Sequence, residues 1–130
     1  MIHWPIKDRE AAGVALARAL ADLEGQPDVT VLALPRGGVP LAAVIARSLA
    51  APLDLMLVRK LGLPGQEELA MGAIAPGDIR VLNPDVVSVL QDASGVIARV
   101  ERREREELQR RQQRYRGNRP LPALEGRRVV

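Results

Sequence analysis

The sequence predicts an α/β protein, a parallel sheet flanked by helices, and three observations carry that expectation. Val29 to Leu34 is an uninterrupted run of β-branched and aliphatic residues, which suits a parallel strand covered on both faces. Leu41, Val44, Ile45, Ser48 and Leu49 then recur at helical spacing. Leu53 to Val58 reads as a second buried strand, interrupted only by Asp54. Strand, helix and strand in this order imply a right-handed parallel crossover.

The corner between the first strand and its helix is Pro35-Arg36-Gly37-Gly38. Two glycines permit positive φ and close approach of a ligand, and the helix that follows offers unpaired N–H groups and the positive end of its dipole. Pro40 fits the first helical turn, where a missing N–H costs nothing. Arg36 adds a fixed cation. The segment is therefore a candidate phosphate-binding turn, and it equally suits an ordinary strand-to-helix corner with glycines for geometry.

The other elements follow in order. Asp8 can cap a helix with the apolar stripe Ala12, Leu16, Ala19, Leu20 and Leu23, which Gly25 would end. After the strand at 53–58 comes the basic pair Arg59-Lys60. Gly62, Pro64, Gly65 and Glu67-Glu68 break the pattern from Leu61 to Leu69, where a mobile surface loop is expected. Met71 to Ala75 and Ile79 to Leu82, separated by Pro76-Gly77-Asp78, suit a small hairpin. Asn83 caps a short helix with Pro84 at its first position, reaching about Gln91.

A long helix is expected from Ser94 to Tyr115, with a thin apolar stripe of Val96, Ile97, Val100, Leu108 and Tyr115. Glu101 with Arg105, Glu106 with Arg110, and Glu107 with Arg111 have i, i+4 spacing in the better orientation for ion pairs. A salt-bridged helix lying over the sheet fits best, ahead of a coiled-coil strand or an RNA-binding helix, because the heptad is not sustained. Gly117 to Pro122 ends it, and Leu124 to Val130 resembles a turn entering a new strand: either an edge piece or the start of a larger domain's missing remainder.

Composition narrows the function classes. The chain has 130 residues, 47% hydrophobic and 27% charged, with a net charge of +3. That is one domain's worth of soluble protein, and no stretch is long enough to span a membrane. The N-terminus lacks a signal-peptide pattern, so a cytoplasmic location is expected. There is no cysteine and one histidine, which excludes disulfides and thiol chemistry and argues against zinc. Residues 99–116 carry eight arginines against four glutamates, whereas residues 1–98 carry eight basic against eleven acidic residues. The basic character belongs to one helix, and Trp4 and Tyr115 are the only aromatics, so nucleic acid is not the expected partner.

Taken together the segments resemble the type I phosphoribosyltransferases, in particular the predicted cytoplasmic members. The resemblance runs through Asp8-Arg9 with Gly13, Leu34 to Pro40, Pro52-Leu53-Asp54, Val58 to Gly62, Glu68-Leu69-Ala70 with Gly72-Ala73, Tyr115-Arg116-Gly117, and Gly126-Arg127. It implies a Rossmann-like parallel sheet with a lid loop or hairpin, and a pyrophosphate loop at 35–39 in which Arg36, Gly37 and Gly38 hold the diphosphate of phosphoribosyl pyrophosphate. Arg59 and Lys60 resemble the basic pair opening the lid at 59–70, which carries Gly62 and Glu68. A substrate or cation contact at Glu68 competes with the plainer reading of an exposed loop carboxylate. A non-proline cis peptide within the bonds at 36–38 is also implied, as is magnesium held mainly by the substrate rather than by protein ligands.

One departure bears on activity. The family's strand ending in two acidic residues, followed by a threonine-containing 5-phosphate loop, has no counterpart here, since Glu67-Glu68 follows no predicted strand. Residues 1–130 are therefore expected to be the N-terminal part of one such domain, cut within a central strand and inactive alone. The leading hypothesis is a phosphoribosyltransferase, or a fragment of one, with an unknown base or amine as acceptor and a homo-oligomer compatible. The alternative is a non-catalytic anion-binding or regulatory module of the same fold. A nucleic-acid-binding protein ranks below both.

Overall fold

A computed structural model describes residues 4–130. The described residues form two compact units, one running through Met56 together with Pro122–Val130, the other from Leu57–Leu121. Among the described residues, no helix is long and apolar enough to cross a membrane.

The first unit is built on a parallel three-stranded sheet. Strand β1 (Val29–Ala33) lies between β2 (Leu53–Leu55) and β6 (Arg128–Val129), with Val31 opposite Leu53 and Thr30 opposite Val129. Helices α1 (Arg9–Ala19) and α2 (Gly38–Leu49) accompany it. Val29, Val31 and Ala33 are buried with Ala42, Ile45, Ala46 and Leu49 of α2, as the apolar run requires. The second strand is shorter than expected: after Leu55 only the Met56 N–H still reaches β1, donating to the Ala33 carbonyl at 2.9 Å. The Leu124–Val130 segment does enter a strand, beside β1.

Asp8 caps α1 as expected, its Oδ1 accepting from the Ala11 N–H at 2.8 Å. The buried face of α1 differs from the expected stripe. Leu16 and Ala19 are exposed, and Gly13 and Ala17 are buried instead. Small residues win here because the helices pack closely: a Cβ on Gly13 would lie 3.0 Å from Val44 Cβ and 3.1 Å from the Leu41 carbonyl oxygen. Leu23 belongs to a short 3-10 turn, and Gly25, at φ +73, donates to the Leu49 carbonyl.

The second unit is an antiparallel sheet of β3 (Arg59–Leu63), β4 (Gln66–Ala75) and β5 (Ile79–Leu82), in that order, with helices α3 (Pro84–Val87) and α4 (Ala93–Arg116). The expected 71–82 hairpin is present. The expected loop at 61–69 is not: those residues are the tip of a second hairpin, closed by Pro64-Gly65 with Gly65 at φ +85. Register shifts around Gly62 disturb the two-residue alternation that would have marked the strand. Asn83 caps α3, which stops at Val87, short of Gln91. Ile97, Val100 and Leu108 of α4 are buried with Leu57, Leu61, Met71, Ile74 and Val86, and α4 packs on β3 and β4.

Candidate anion-binding site

The turn from β1 to α2 starts from a fixed base. Buried β1 ends at Ala33, and Leu34 and Arg36 then emerge to solvent. The Pro35–Arg36 peptide is cis, one bond before the expected 36–38 stretch. The Gly38 N–H donates to the Leu34 carbonyl at 3.0 Å and the Val39 N–H to the Arg36 carbonyl at 3.2 Å, so the turn folds on itself.

Two expectations for the glycines need correction. Gly37 sits at φ −61, ψ −31, in ordinary right-handed space, and Gly38 is the first residue of α2, so neither supplies a positive φ. The Gly38 N–H is also engaged within the turn rather than free. What glycine supplies at 37 is room. A Cβ there would lie 3.4 Å from Nε and 3.5 Å from Nη2 of Arg9, whose guanidinium rests against the turn.

The charges at this turn stand open. Neither Arg36 nor Arg9 makes a side-chain hydrogen bond or ion pair with the described residues, and the Arg36 and Gly37 N–H groups likewise have no described acceptor. In the sequence, Asp8-Arg9 stands out only as a family feature and a cap. A signal was available, because an arginine in the first position of a helix faces the positive dipole end, where acids are favoured.

The expected lid cations lie in the second unit and differ from each other. Arg59 on β3 is half-buried and bound to Glu104 of α4, with Nε donating to Oε2 at 2.8 Å and Nη2 at 2.6 Å from the same oxygen. Lys60 is exposed, with Nζ 3.9 Å from Oε2 of the fully exposed Glu68. Gly62 lies where a Cβ would come within 2.7 Å of the Glu67 carbonyl oxygen, so it serves the close approach of β3 and β4. Of the predicted pairs on α4, Glu101–Arg105 and Glu107–Arg111 form, but Arg110 turns to Glu107 rather than Glu106. Arg127 is structural here, donating to Thr30 Oγ1 and, at 3.0 Å, to the Val29 carbonyl. The described residues contain no group of three or more His, Asp or Glu side chains that could hold a metal ion.

This is a mixed α/β protein whose parallel three-stranded sheet is flanked by helices, with an open, cationic turn at the end of its central strand. No family model matches the sequence. Two curated proteins of Mycobacterium tuberculosis, from strains CDC 1551 and H37Rv, are each 51% identical to it over 123 residues, and both are named "Putative phosphoribosyl transferase". The match covers 95% of this chain and 28% of each relative. The crystal structure of TT1426 from Thermus thermophilus is similar with a TM-score of 0.79 and 44% identity, over 95% of this chain and 58% of that one. The chain thus spans little more than a quarter of the curated relatives it matches.

Proposed function

We propose that this protein is a phosphoribosyltransferase of the type I, Rossmann-like class, or a part of one, transferring phosphoribosyl from phosphoribosyl pyrophosphate to a base or amine. The observation that carries the reading is the turn at 35–39. It presents the unpartnered Arg36 guanidinium and two N–H groups without described acceptors where buried β1 gives way to α2. The names of relatives 51% identical over 95% of the chain support the same class.

The chemistry asked of the turn is electrostatic. Displacement of diphosphate from the anomeric carbon leaves negative charge on the departing oxygens. Fixed donors stabilise such charge without reorganising. The Arg36 and Gly37 N–H groups are such donors, and the exposed Arg36 guanidinium adds a cation beside them. Magnesium, arriving with the substrate, would neutralise part of that charge, and the chain's own residues offer it no carboxylate cluster. By resemblance, the β3–β4 hairpin with Lys60, Gly62 and Glu68 would be the lid. The Arg59–Glu104 ion pair favours the second reading, a non-catalytic anion-binding module of the same fold, because one expected diphosphate cation already has a protein partner.

The test is calorimetric titration with phosphoribosyl pyrophosphate and magnesium. Binding is expected, weakened about tenfold or more in Arg36→Ala, as for loss of a hydrogen bond from a charged donor. The absence of any binding heat at millimolar ligand would sink the proposal. Residues 1–130 are expected to bind without measurable transfer, and turnover by this chain would overturn that part.

A further inference from the structure

Three contacts show how the first two helices are related. Arg9, at the start of α1, rests against Gly37, just before α2, while Gly13 one turn later meets Leu41 and Val44 one to two turns into α2. The contacts advance together, so α1 and α2 run in the same direction. Their positive dipole ends therefore lie side by side. Antiparallel packing would have offset the dipoles, whereas this arrangement adds them.

A guanidinium at that end is locally unfavourable, and although Asp8 caps α1 and Glu10 lies in its first turn, neither carboxylate pairs with Arg9. Asp8 turns back to accept from the Ala11 N–H. Lys7, Asp8 and Glu10 line the same open groove as Arg9, so its charges are mixed in sign. The Arg9 and Arg36 guanidinium groups and the Arg36 and Gly37 N–H groups thus gather at the turn as donors without a described acceptor.

We infer that Arg9 is a second binding residue of the turn, holding from α1 the same phosphate-type anion that Arg36 holds. The inference rests on the reading of the turn as a diphosphate site and deepens it. Gly37 matters because it leaves the guanidinium against the backbone, within reach of a ligand bound by the turn's N–H groups. The close packing at Gly13 holds the two helices in that relation. The planar fork of arginine suits two oxygens of one phosphate, which a lysine ammonium would meet only as a point charge.

The experiment follows amide chemical shifts of the full chain during titration with inorganic pyrophosphate, in the original protein and in Arg9→Ala, Arg9→Lys, Arg36→Ala and Arg18→Ala. Arg18, in the last turn of α1, removes the same charge at the helix's other end. Saturable shifts at Arg36 and Gly37 are expected, weakened about tenfold or more in Arg9→Ala, less in Arg9→Lys and not in Arg18→Ala. Arg9→Gln replaces Arg9→Ala if the latter loses its helical circular dichroism. If Arg36→Ala weakens binding and Arg9→Ala does not, Arg9 has no such role and the turn stands. Equal loss in Arg9→Ala and Arg18→Ala reduces the effect to net charge and overturns the inference. No binding by the original protein overturns both the inference and the diphosphate turn.

Discussion

Arg59 and Lys60 are adjacent in sequence and do different work. Arg59 projects to Glu104, whose carboxylate is only 16% exposed, and the pair ties β3 to α4. Lys60 faces solvent beside an exposed glutamate, a contact of the kind that contributes little. Truncating Arg59 would leave a partly buried carboxylate without its donor, a loss of about 1–3 kcal/mol. Arg59→Ala is therefore expected to lower the thermal midpoint by several degrees while Lys60→Ala leaves it within a degree or so. Equal midpoints in the two variants would remove Arg59's structural role and return it to the ligand. The basic pair was legible in the sequence, but its division of labour was not, because the partner lies 45 residues away on a helix read only for its own i, i+4 pairs. Arg9 was hidden differently: its neighbour Asp8 explained the local pattern as a cap, and nothing in sequence spacing brings residue 9 to residue 37.

At the scale of elements, the apolar run of β1 and the periodicity of α2 are legible, whereas the run at 53–58 gives only the three-residue β2 and the buried face of α1 falls on Gly13 and Ala17. Strand β1, helix α2 and the β4–β5 hairpin follow from apolar runs and turn residues. The β3–β4 hairpin looks like a loop in sequence because its tip is charged and its alternation slips at Gly62. Glycine there, and at Gly72 where a Cβ would run into the Val81 carbonyl, marks backbone approach rather than freedom. In α4 the charges were expected to pair locally, and Glu107 does so twice. Hydrogen bonds from Arg110 first and Arg111 second lower its carboxyl from an ordinary 4.5 to about 2. A depressed carboxylate stabilises the helix above its unfolded value near 4.5, and that contribution is lost as pH falls through about 2. A carboxyl NMR titration of Glu107 is expected to give a midpoint near 2, moving toward the ordinary value in Arg110→Ala and, by less, in Arg111→Ala. Molar salt should move it the same way, since its partners Arg110 and Arg111 are exposed and the pairs are open to screening. An ordinary midpoint in the unaltered protein at low salt would show that the pairs do not persist in solution.

For the whole molecule, the chain's path decides what the sequence could reveal. It leaves the first unit at Met56, builds the second from Leu57–Leu121, and returns to lay β6 beside β1. Arg128 then pairs with Asp28 across 100 residues, holding that carboxyl below its usual range, and Arg127 grips Thr30 and Val29. A strand near Val130 was legible; its position against β1 was not, because strand order is set by long-range pairing. The return also means that each unit has its own buried cluster, with no residue in common: Leu49 is 1% exposed in one and Leu61 0% in the other. Replacing either leucine by alanine removes about 2–5 kcal/mol of packing. Since neither cluster contains members of the other, the loss should appear first as local opening rather than as uniform destabilisation. Hydrogen exchange is expected to quicken mainly in β1 and α2 for Leu49→Ala, and mainly in β3, β4 and α4 for Leu61→Ala. If either variant instead accelerates exchange equally in both sets of amides, the units open as one cooperative body, and the second cluster is as necessary to the anion-binding turn as the first.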